Sequence, residues 1–251
     1  MKVDAVILAG GDGAVIDPAV SVKGLVPVAG KPLVEWVVDA MRDSANIAEV
    51  AVVIPTTENL GPWADKVDKL VLSGDSFIDN VIAGVGAFRS DRPVLVATGD
   101  LPALTPEAVD DYIEQSLESG ADFTYPLVPK EAMEEQFPGS KRTYIKLVTG
   151  PITGGNMMLL APELVKRNRE IGQKLFETRK SPVAMARVIG FPFIVKLVSG
   201  RLNPSDVEKK MGQLLGGRCA AIYTRHASIG ADVDKPVDVA VAEAVIAARG
   251  R

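Results

Sequence analysis

Residues 3–13 read VDAVILAGGDG, and this stretch decides the fold. Residues 3–9 form a continuous apolar run rich in β-branched side chains, which is typical of a buried strand. The glycines at 10, 11 and 13 form a turn at its carboxyl end, where backbone N–H groups can approach a phosphate chain closely. The stretch is neither a Walker A loop, since no Gly-Lys-Ser/Thr follows, nor the G-x-G-x-x-G dinucleotide fingerprint. Two interpretations stay open, a phosphate-binding loop and a tight turn followed by a solvated basic loop.

Outward from this stretch, short β-branched runs alternate with amphipathic stretches through the first half of the chain. Strands are predicted at 50–54, 67–72, 93–97 and 122–125, and helices at 32–44, 77–88 and 106–118. Thr105 is the predicted N-cap of the third helix, with Pro106 at its first position. Strands that alternate with helices of this length predict an α/β fold, a three-layer sandwich in which helices cover both faces of a mostly parallel sheet.

The second half of the chain is less regular. Segment 128–147 begins with a polar, charged stretch and is predicted to be a loop that forms a lid or insertion. A helical extension is predicted over 161–216, packed on one side of the sheet. Its predicted helices lie at 162–172, 182–189, 193–199 and 204–215. No Pro-, Gly- or Ser-rich linker separates the two halves, so residues 1–251 are predicted to form a single domain.

Composition excludes several classes of function. The chain has 251 residues, and its 28 Lys and Arg against 32 Asp and Glu give a net charge of 28 − 32 = −4. An acidic chain with 5% aromatic residues is unsuited to binding nucleic acid or an anionic membrane. The single cysteine, Cys219, excludes an internal disulfide, and the single histidine, His226, excludes a His–His metal motif. We therefore expect a cytoplasmic protein that works with carboxylates, lysines and backbone amides, without nucleic-acid or membrane partners.

Charged side chains follow the predicted turn and strand ends at positions suited to a phosphate ligand. Lys23 and Lys31 come after the glycine turn and could neutralise phosphate charge. Asp100 follows a buried strand in the sequence ATGDLP, at the carboxyl end where open α/β sheets bind ligands. A structural role in a turn is the alternative for this aspartate. Asp232 and Asp234 stand in GADVDKPVD, shortly before the last predicted helix.

Two of these motifs, LAGGDG at 8–13 and VKGLVPVAGKPLVEWVVDAM at 22–41, resemble the N-terminal signature of nucleotidyltransferases with a Rossmann-like, GT-A-type fold. The branch that looks most similar is the molybdenum-cofactor nucleotidyltransferases, which transfer guanylyl or cytidylyl groups. The resemblance implies that Lys23 neutralises the developing pyrophosphate, and it places Lys31 at the family's GKP position. It further implies that an NTP, either CTP or GTP, is bound by Leu8, Ala9, Gly10, Gly11, Asp12, Gly13, Lys23, Lys31 and Gly99.

The resemblance also implies a magnesium site. The strand followed by GDLP is similar to the family element whose aspartate binds Mg²⁺, which makes Asp100 a metal ligand and, with Lys23, a catalytic residue. GADVDKPVD resembles the family's DIDTPEDL element, which supplies a second acidic ligand. Asp234 is the first choice for that ligand and Asp232 the second.

An acceptor site is implied at Gly155 and Asn156, which resemble a glycine–asparagine segment beside the acceptor in related sugar-nucleotide enzymes. A turn that opens a strand is the alternative. The predicted function is Mg²⁺-dependent transfer of an NMP group from an NTP to a small, phosphorylated acceptor, with release of pyrophosphate.

The chain departs from the family's GxGxRM pattern at one position. Val15 stands in place of the arginine that would grip the triphosphate. A nucleotide-binding or regulatory protein with weakened catalysis therefore stays open as an alternative. So does a GT-A glycosyltransferase, although such an enzyme would carry its DxD motif in mid-chain.

Overall fold

Strand β1 (Val3–Leu8) is almost fully buried because it lies between two parallel neighbours, β4 (Ile47–Ile54) and β6 (Val94–Thr98). The structure is a computed structural model, and it describes residues 1–58, 60–178, 184 and 188–249. A strand buried on both faces needs apolar side chains at successive positions, which explains the apolar run from Ala5 to Leu8. The buried carboxylate of Asp4 in the same strand is paired with Arg92.

The remaining strands and the α-helices have the following bounds. The other strands are β2 (Pro27–Val28), β3 (Lys31–Pro32), β5 (Lys69–Leu72), β7 (Phe123–Pro129), β8 (Ile145–Leu147), β9 (Gly150–Gly154), β10 (Met157–Leu160) and β11 (Cys219–Tyr223). The α-helices are α1 (Leu33–Asp43), α2 (Phe77–Gly86), α3 (Pro106–Ser119), α4 (Lys130–Gln136), α5 (Pro162–Arg167), α6 (Arg169–Thr178), α7 (Phe191–Val198), α8 (Pro204–Leu215) and α9 (Pro236–Arg249). A short 3-10 turn lies at Ala227–Gly230.

The main sheet has nine strands in the order β5-β4-β1-β6-β10-β7-β9-β8, with β11 paired to β7. Strand β7 meets β10 at its beginning and β9 at its end, so both share one of its edges. Only β9 and β10 run against the direction of the other strands of this sheet. The predicted α/β fold with a mostly parallel sheet is therefore confirmed.

Helices cover both faces of the sheet. Ala5 and Ile7 belong to the apolar cluster under α1 and α3, whereas Val6 packs with the helix on the other face, α2. Helices α5 and α6 pack against α2. Helix α7 contacts β8, and helix α8 contacts β11. Helix α9 contacts the small hairpin formed by β2 and β3. None of the described helices is long and apolar enough to cross a membrane.

Part of the segment predicted as a loop is helical. Residues 130–136 form α4, whose Ala132 and Met133 are buried in a cluster with Val128 and Ala227. Two adjacent apolar residues in a short charged stretch produce too little periodicity to predict a helix. A loop is therefore wrong for this part of 128–147, while the lid itself stays a prediction.

The helical extension also differs in detail from the prediction. The helix predicted at 162–172 is interrupted at Asn168, whose side-chain amide donates to the carbonyl oxygens of Leu164 (2.8 Å) and Leu215 (2.9 Å). This amide ties the end of α5 to the end of α8, a contact that periodicity cannot predict. The helix predicted at 182–189 falls largely on residues outside those described. The helix predicted at 204–215 has the same bounds in the structure.

Candidate active site

The glycine turn after β1 folds back on itself and returns Lys23 to the end of the strand. Gly11 adopts a φ of 100°, a backbone conformation that favours glycine. Its carbonyl oxygen accepts a hydrogen bond from the N–H of Lys23 (3.0 Å), and the N–H of Gly13 donates to the carbonyl of Ser21 (3.0 Å). A Cβ atom on Gly13 would overlap the carbonyl oxygen of Val20. The local chain therefore requires glycine at both positions.

Close packing around Ala9 brings two charged residues together. A Cβ atom on Gly24 would lie 2.7 Å from the carbonyl oxygen of Ala9, and one on Gly99 would lie 3.0 Å from its Cα. Because both glycines allow this approach, their neighbours Lys23 and Asp100 meet at the carboxyl end of β1 and β6. Gly99 belongs to the predicted nucleotide-binding set, whereas Gly24 was not predicted to have a role.

Lys23 bridges two of the predicted metal ligands. Its Nζ lies 2.5 Å from Oδ2 of Asp100 and 2.5 Å from Oδ1 of Asp234. The side chains of Lys23 and Asp100 are each 14% exposed, whereas that of Asp234 is 60% exposed. The cluster thus has a buried side against the sheet and an open side at Asp234.

Asp232 completes a group of three carboxylates. One oxygen each from Asp100, Asp232 and Asp234 lie within 4.8 Å of one another. Asp232 is largely buried and paired with Arg142, which donates to its carboxylate and, at 2.6 Å, to its carbonyl oxygen. The sequence suggested Asp232 as an alternative to Asp234, but the structure brings both together with Asp100.

The pKa directions follow from this arrangement. Burial alone would lower the pKa of Lys23, but the charges and hydrogen bonds of Asp100 and Asp234 outweigh it and raise that pKa. Burial and the negative charge of Asp100 raise the pKa of Asp232, against the effect of Arg142. Burial also acts to raise the pKa of Asp234, but the hydrogen bond and charge of Lys23 lower it overall. Of Asp232 and Asp234, Asp234 is therefore the one that its neighbours hold more firmly in the charged form.

Three features suit this cluster to a divalent cation. Three aspartates against Lys23 and Arg142 leave a charge of 2 − 3 = −1 in the cluster. Oδ1 of Asp100 is buried and has no hydrogen-bond partner among the residues that the structure describes. Unpaired buried carboxylate oxygens are costly, and magnesium and calcium both prefer oxygen ligands. The donor set therefore fits a hard cation such as Mg²⁺.

Asp238 holds the backbone around Asp234 in place. Its Oδ2 accepts hydrogen bonds from the N–H groups of Asp234 (3.1 Å) and Lys235 (2.9 Å), immediately before α9 begins at Pro236. This is the reciprocal half of a capping box, in which an acidic residue in the first turn reaches back to the helix start. Sequence analysis gave Asp238 no part in the site, although its spacing of three residues from Lys235 matches that of a capping box.

Lys31 lies apart from the carboxylate cluster. Its Nζ is 2.7 Å from Oδ2 of Asp39 and 4.6 Å from the ring centroid of Trp36, both on α1. The same Asp39 also pairs with Lys66 at 2.6 Å. The structure therefore places Lys31 in an ion-pair network that stabilises α1, and its contact with a nucleotide stays a prediction.

Val15, which replaces the arginine of the family's GxGxRM pattern, is exposed to solvent. Val15 is 61% exposed on the loop between Gly13 and Lys23. Oδ1 of Asp12 accepts the N–H of Ala14 (2.9 Å), so that carboxylate stabilises its own turn. The loop thus presents backbone groups and no arginine to a ligand.

Gly155 and Asn156 join the strands that carry the site. The N–H of Gly155 donates to the carbonyl of Pro126 (3.0 Å), and that of Asn156 donates to the carbonyl of Ile229 (2.8 Å). The carbonyl of Asn156 accepts the N–H of Thr98 (3.1 Å), two residues before Asp100. These bonds support the structural alternative of a turn that opens a strand, and contact with an acceptor stays a prediction.

Comparison with known proteins identifies the class to which this fold and site belong. The chain belongs to the family of the MobA-like NTP transferase domain, whose model matches residues 5–187. The predicted resemblance is thereby confirmed, and the chain carries a domain of the nucleotidyltransferase class. Membership of this family favours nucleotidyl transfer over the glycosyltransferase alternative.

Three relatives show how similar this chain is to individual proteins. A hypothetical transferase from Thermus thermophilus is 35% identical with a TM-score of 0.85, and the match covers 95% of this chain and 100% of that one. The 2-C-methyl-D-erythritol 4-phosphate cytidylyltransferase of Thermus thermophilus is 19% identical with a TM-score of 0.58, covering 98% of each chain. Its counterpart from Clostridium perfringens is 29% identical over 127 residues, which is 48% of this chain and 56% of the relative. The match thus spans about half the length of that curated relative.

Proposed function

We propose that the protein transfers an NMP group from an NTP to a small phosphorylated acceptor and releases pyrophosphate, with Mg²⁺ as the metal. The observation that carries this proposal is the cluster of Lys23, Asp100 and Asp234 beside the glycine turn. It combines an ammonium group and carboxylates for a cation with a glycine turn at one strand end. Phosphoryl and nucleotidyl transfer depend mainly on positioning and charge neutralisation, which these groups provide.

Each residue has a distinct role in this proposal. The turn at residues 8–13 holds the phosphates through backbone N–H groups, and the Lys23 ammonium group neutralises charge on the leaving pyrophosphate. Asp100 and Asp234 would hold Mg²⁺, with Asp232 beside them. When bound, the ion would supply positive charge to the phosphate oxygens. The hydrogen bond that the N–H of Asp234 donates to the Asp238 carboxylate keeps Asp234 in position for this role.

The bond changes are those of an in-line displacement. An oxygen of the acceptor phosphate forms a bond to the α-phosphorus of the NTP. The bond from the α-phosphorus to the bridging oxygen of the β-phosphate breaks, and pyrophosphate leaves with the electron pair. No residue needs to form a covalent intermediate, which agrees with the absence of a cysteine or histidine from the described cluster.

CTP is the first candidate among the nucleotides. The Clostridium and Thermus relatives are named as cytidylyltransferases, and a further structural neighbour is a CMP-2-keto-3-deoxy-manno-octonic acid synthetase in complex with CTP. That neighbour is 14% identical with a TM-score of 0.61, covering 99% of this chain and 100% of that one, so its likeness concerns the fold alone. GTP is the second candidate, from the resemblance to the molybdenum-cofactor branch.

A direct assay tests the proposal. The purified chain is incubated with Mg²⁺, each of the four NTPs and a panel of phosphate monoesters, and pyrophosphate release is measured. We expect release with one NTP and loss of at least about a hundredfold in Asp100→Asn. The control is Asp65→Asn, at an exposed aspartate outside the cluster, which should retain full activity. Equal activity of the two variants would contradict the assignment of Asp100.

Exposed Val15 supports a second candidate, a protein that binds a nucleotide without converting it. The missing guanidinium would otherwise grip the triphosphate with two parallel hydrogen bonds. Calorimetric titration with each NTP distinguishes the two functions. Binding without pyrophosphate release across the acceptor panel would establish the second candidate and exclude the first.

A further inference from the structure

An apolar cavity of about 340 Å³ lies between the far end of the sheet and helices α7 and α8. Its size falls within the range of roughly 300–1,000 Å³ that is usual for ligand-binding cavities. Aliphatic and aromatic side chains form almost all of its wall, among them Leu127, Leu147, Ile152, Phe193, Leu197 and Met211. This cavity is separate from the glycine turn and the carboxylate cluster.

The few polar groups in the wall do not offer a free charge to a ligand. Glu208 lines the cavity, but its Oε1 accepts a hydrogen bond from the N–H of Ala221 at 2.9 Å. Cys219 also lines it, and burial raises the pKa of its thiol to about 11, so the thiol is neutral at ordinary pH. The wall therefore favours a hydrocarbon chain over a polar ligand.

Tyr125 connects this cavity with the candidate active site. Its ring lines the cavity and is 37% exposed, and its hydroxyl lies against Gly154, where a Cβ atom would approach it to 2.5 Å. Gly154 also lies close to Gly230, since the Cβ position of Gly230 is 3.6 Å from the carbonyl oxygen of Gly154. Gly230 precedes Asp232 by two residues. Burial raises the pKa of the Tyr125 hydroxyl, and the negative charge of Asp232 raises it further.

We propose that this cavity binds an aliphatic chain of the acceptor, so that the acceptor is an amphiphilic phosphate monoester. This inference rests on the proposed function, because it concerns the molecule that receives the NMP group. With the chain in the cavity, the phosphate head extends past Tyr125 toward Asp232 and the α-phosphate. The head oxygen then forms the new P–O bond while pyrophosphate leaves, and the product is an alkyl diphosphate ester of the nucleoside.

Helix α7, which lines part of the cavity, is short and flanked by glycines. Gly190 and Gly200, on either side of α7, have φ values of 112° and 66°. Phe193 and Leu197 line the cavity, whereas Phe191 on the same helix is 71% exposed. A two-turn helix with apolar side chains on both its inner and outer faces thus forms part of the cavity wall.

The chain-length dependence of turnover tests this inference. Ethyl phosphate and dodecyl phosphate are compared as acceptors, the second below the concentration at which it forms micelles. Each methylene moved from water into an apolar site strengthens binding about fourfold, so dodecyl phosphate should show a kcat/KM at least about tenfold higher. Calorimetric titration with dodecyl phosphate alone measures binding without a nucleotide.

Variants that fill the cavity provide the specific test. Ala221→Trp places a large side chain in the wall, and Ala221→Leu is a milder filler for the case in which the tryptophan variant does not fold. Either variant should reduce the ratio of kcat/KM for dodecyl phosphate to kcat/KM for ethyl phosphate toward one. Either should also weaken the binding of dodecyl phosphate. The matched control is Ala247→Trp on the exposed side of α9, which should change neither.

The outcomes separate the two proposals. Turnover with equal efficiency for both acceptors, or a preference that the Ala221 variants leave unchanged, would overturn the cavity inference while leaving the proposed function in place. Binding of dodecyl phosphate that the Ala221 variants weaken, without turnover of any NTP, would support an alkyl site and overturn the proposed function. If dodecyl phosphate does not bind at all, the cavity inference is wrong.

Discussion

Arg142 holds Asp232 through two hydrogen bonds, one to its carboxylate and one to its backbone carbonyl oxygen. Both side chains are largely buried, and they come from the segment after α4 and the segment before α9. The pair therefore ties two parts of the chain together at the edge of the carboxylate cluster. The sequence places Arg142 in segment 128–147, the predicted lid or insertion, and does not reveal Asp232 as its partner.

Arg142→Met should destabilise the protein by about 1–3 kcal/mol, because it leaves a largely buried carboxylate without its partner. Urea unfolding measures the change in the free energy of unfolding. Arg225→Met is the control, since the pair of Arg225 with Glu135 is 69% and 66% exposed and should contribute under about 0.5 kcal/mol. Equal effects of the two substitutions would show that burial of the Asp232 pair has no energetic consequence.

Asp238→Ala should lower the free energy of unfolding by about 1 kcal/mol, since two N–H groups at the start of α9 lose their acceptor. The same substitution should raise the KM for the metal–nucleotide complex, because the backbone of Asp234 is no longer held. Thermal unfolding and steady-state kinetics measure the two effects. Asp238→Asn retains a side-chain oxygen and should change the free energy of unfolding and the KM less than Asp238→Ala does. Equal or larger changes in Asp238→Asn would argue against the capping role.

Gly24→Ala should destabilise the protein by about 1–3 kcal/mol, because the new Cβ would lie 2.7 Å from a backbone oxygen of Ala9. The shift should also displace Lys23 and reduce turnover. Gly86→Ala at the end of α2 provides the matched control, since no atom lies within 4 Å of its Cβ position. That variant should be neutral or up to about 1 kcal/mol more stable. A Gly24→Ala protein as stable and active as wild type would refute the packing argument.

Cys219 should react slowly with iodoacetamide at neutral pH, because burial raises the pKa of its thiol to about 11. Mass spectrometry should show a rate that rises with pH until about 11, with much faster reaction in urea. The native state holds the proton more tightly than the unfolded state, whose thiol pKa is about 8.5. The stability that the protonated thiol contributes is therefore complete below that value and lost as pH rises through about 11. Cys219→Ala should lack this loss, and an equal pH dependence in that variant would exclude the thiol as its source.

Local sequence was sufficient where local interactions decide the structure. The bounds of α8 follow from its own residues, since Asn203 caps its start and Gly216, with a φ of 64°, ends it. Asp100 was predicted at a strand end because a buried apolar run and a following turn are both encoded within a few residues. The structure then places this aspartate beside Lys23, at 2.5 Å.

Distant contacts escaped prediction because no local pattern encodes them. Arg142 and Asp232 are separated by 90 positions, and no local sequence pattern in either segment indicates that they pair. The same holds for Asn168, which ends α5 by bonding to the end of α8. The apolar cavity arises because α7 and α8 meet the sheet without filling the space between them, which depends on packing geometry.

The sequence by itself determined the α/β class, the buried first strand with its glycine turn, and the residue types that could serve a phosphate and a cation. These features depend on periodicity and on backbone conformations that only certain residues adopt. Only the tertiary structure decided that Asp232 joins both Asp100 and Asp234, that Lys31 pairs with Asp39, and that a cavity lies beside Tyr125. The physical reason is that these relationships depend on how separate strands and helices pack, and so on contacts between residues far apart in the chain.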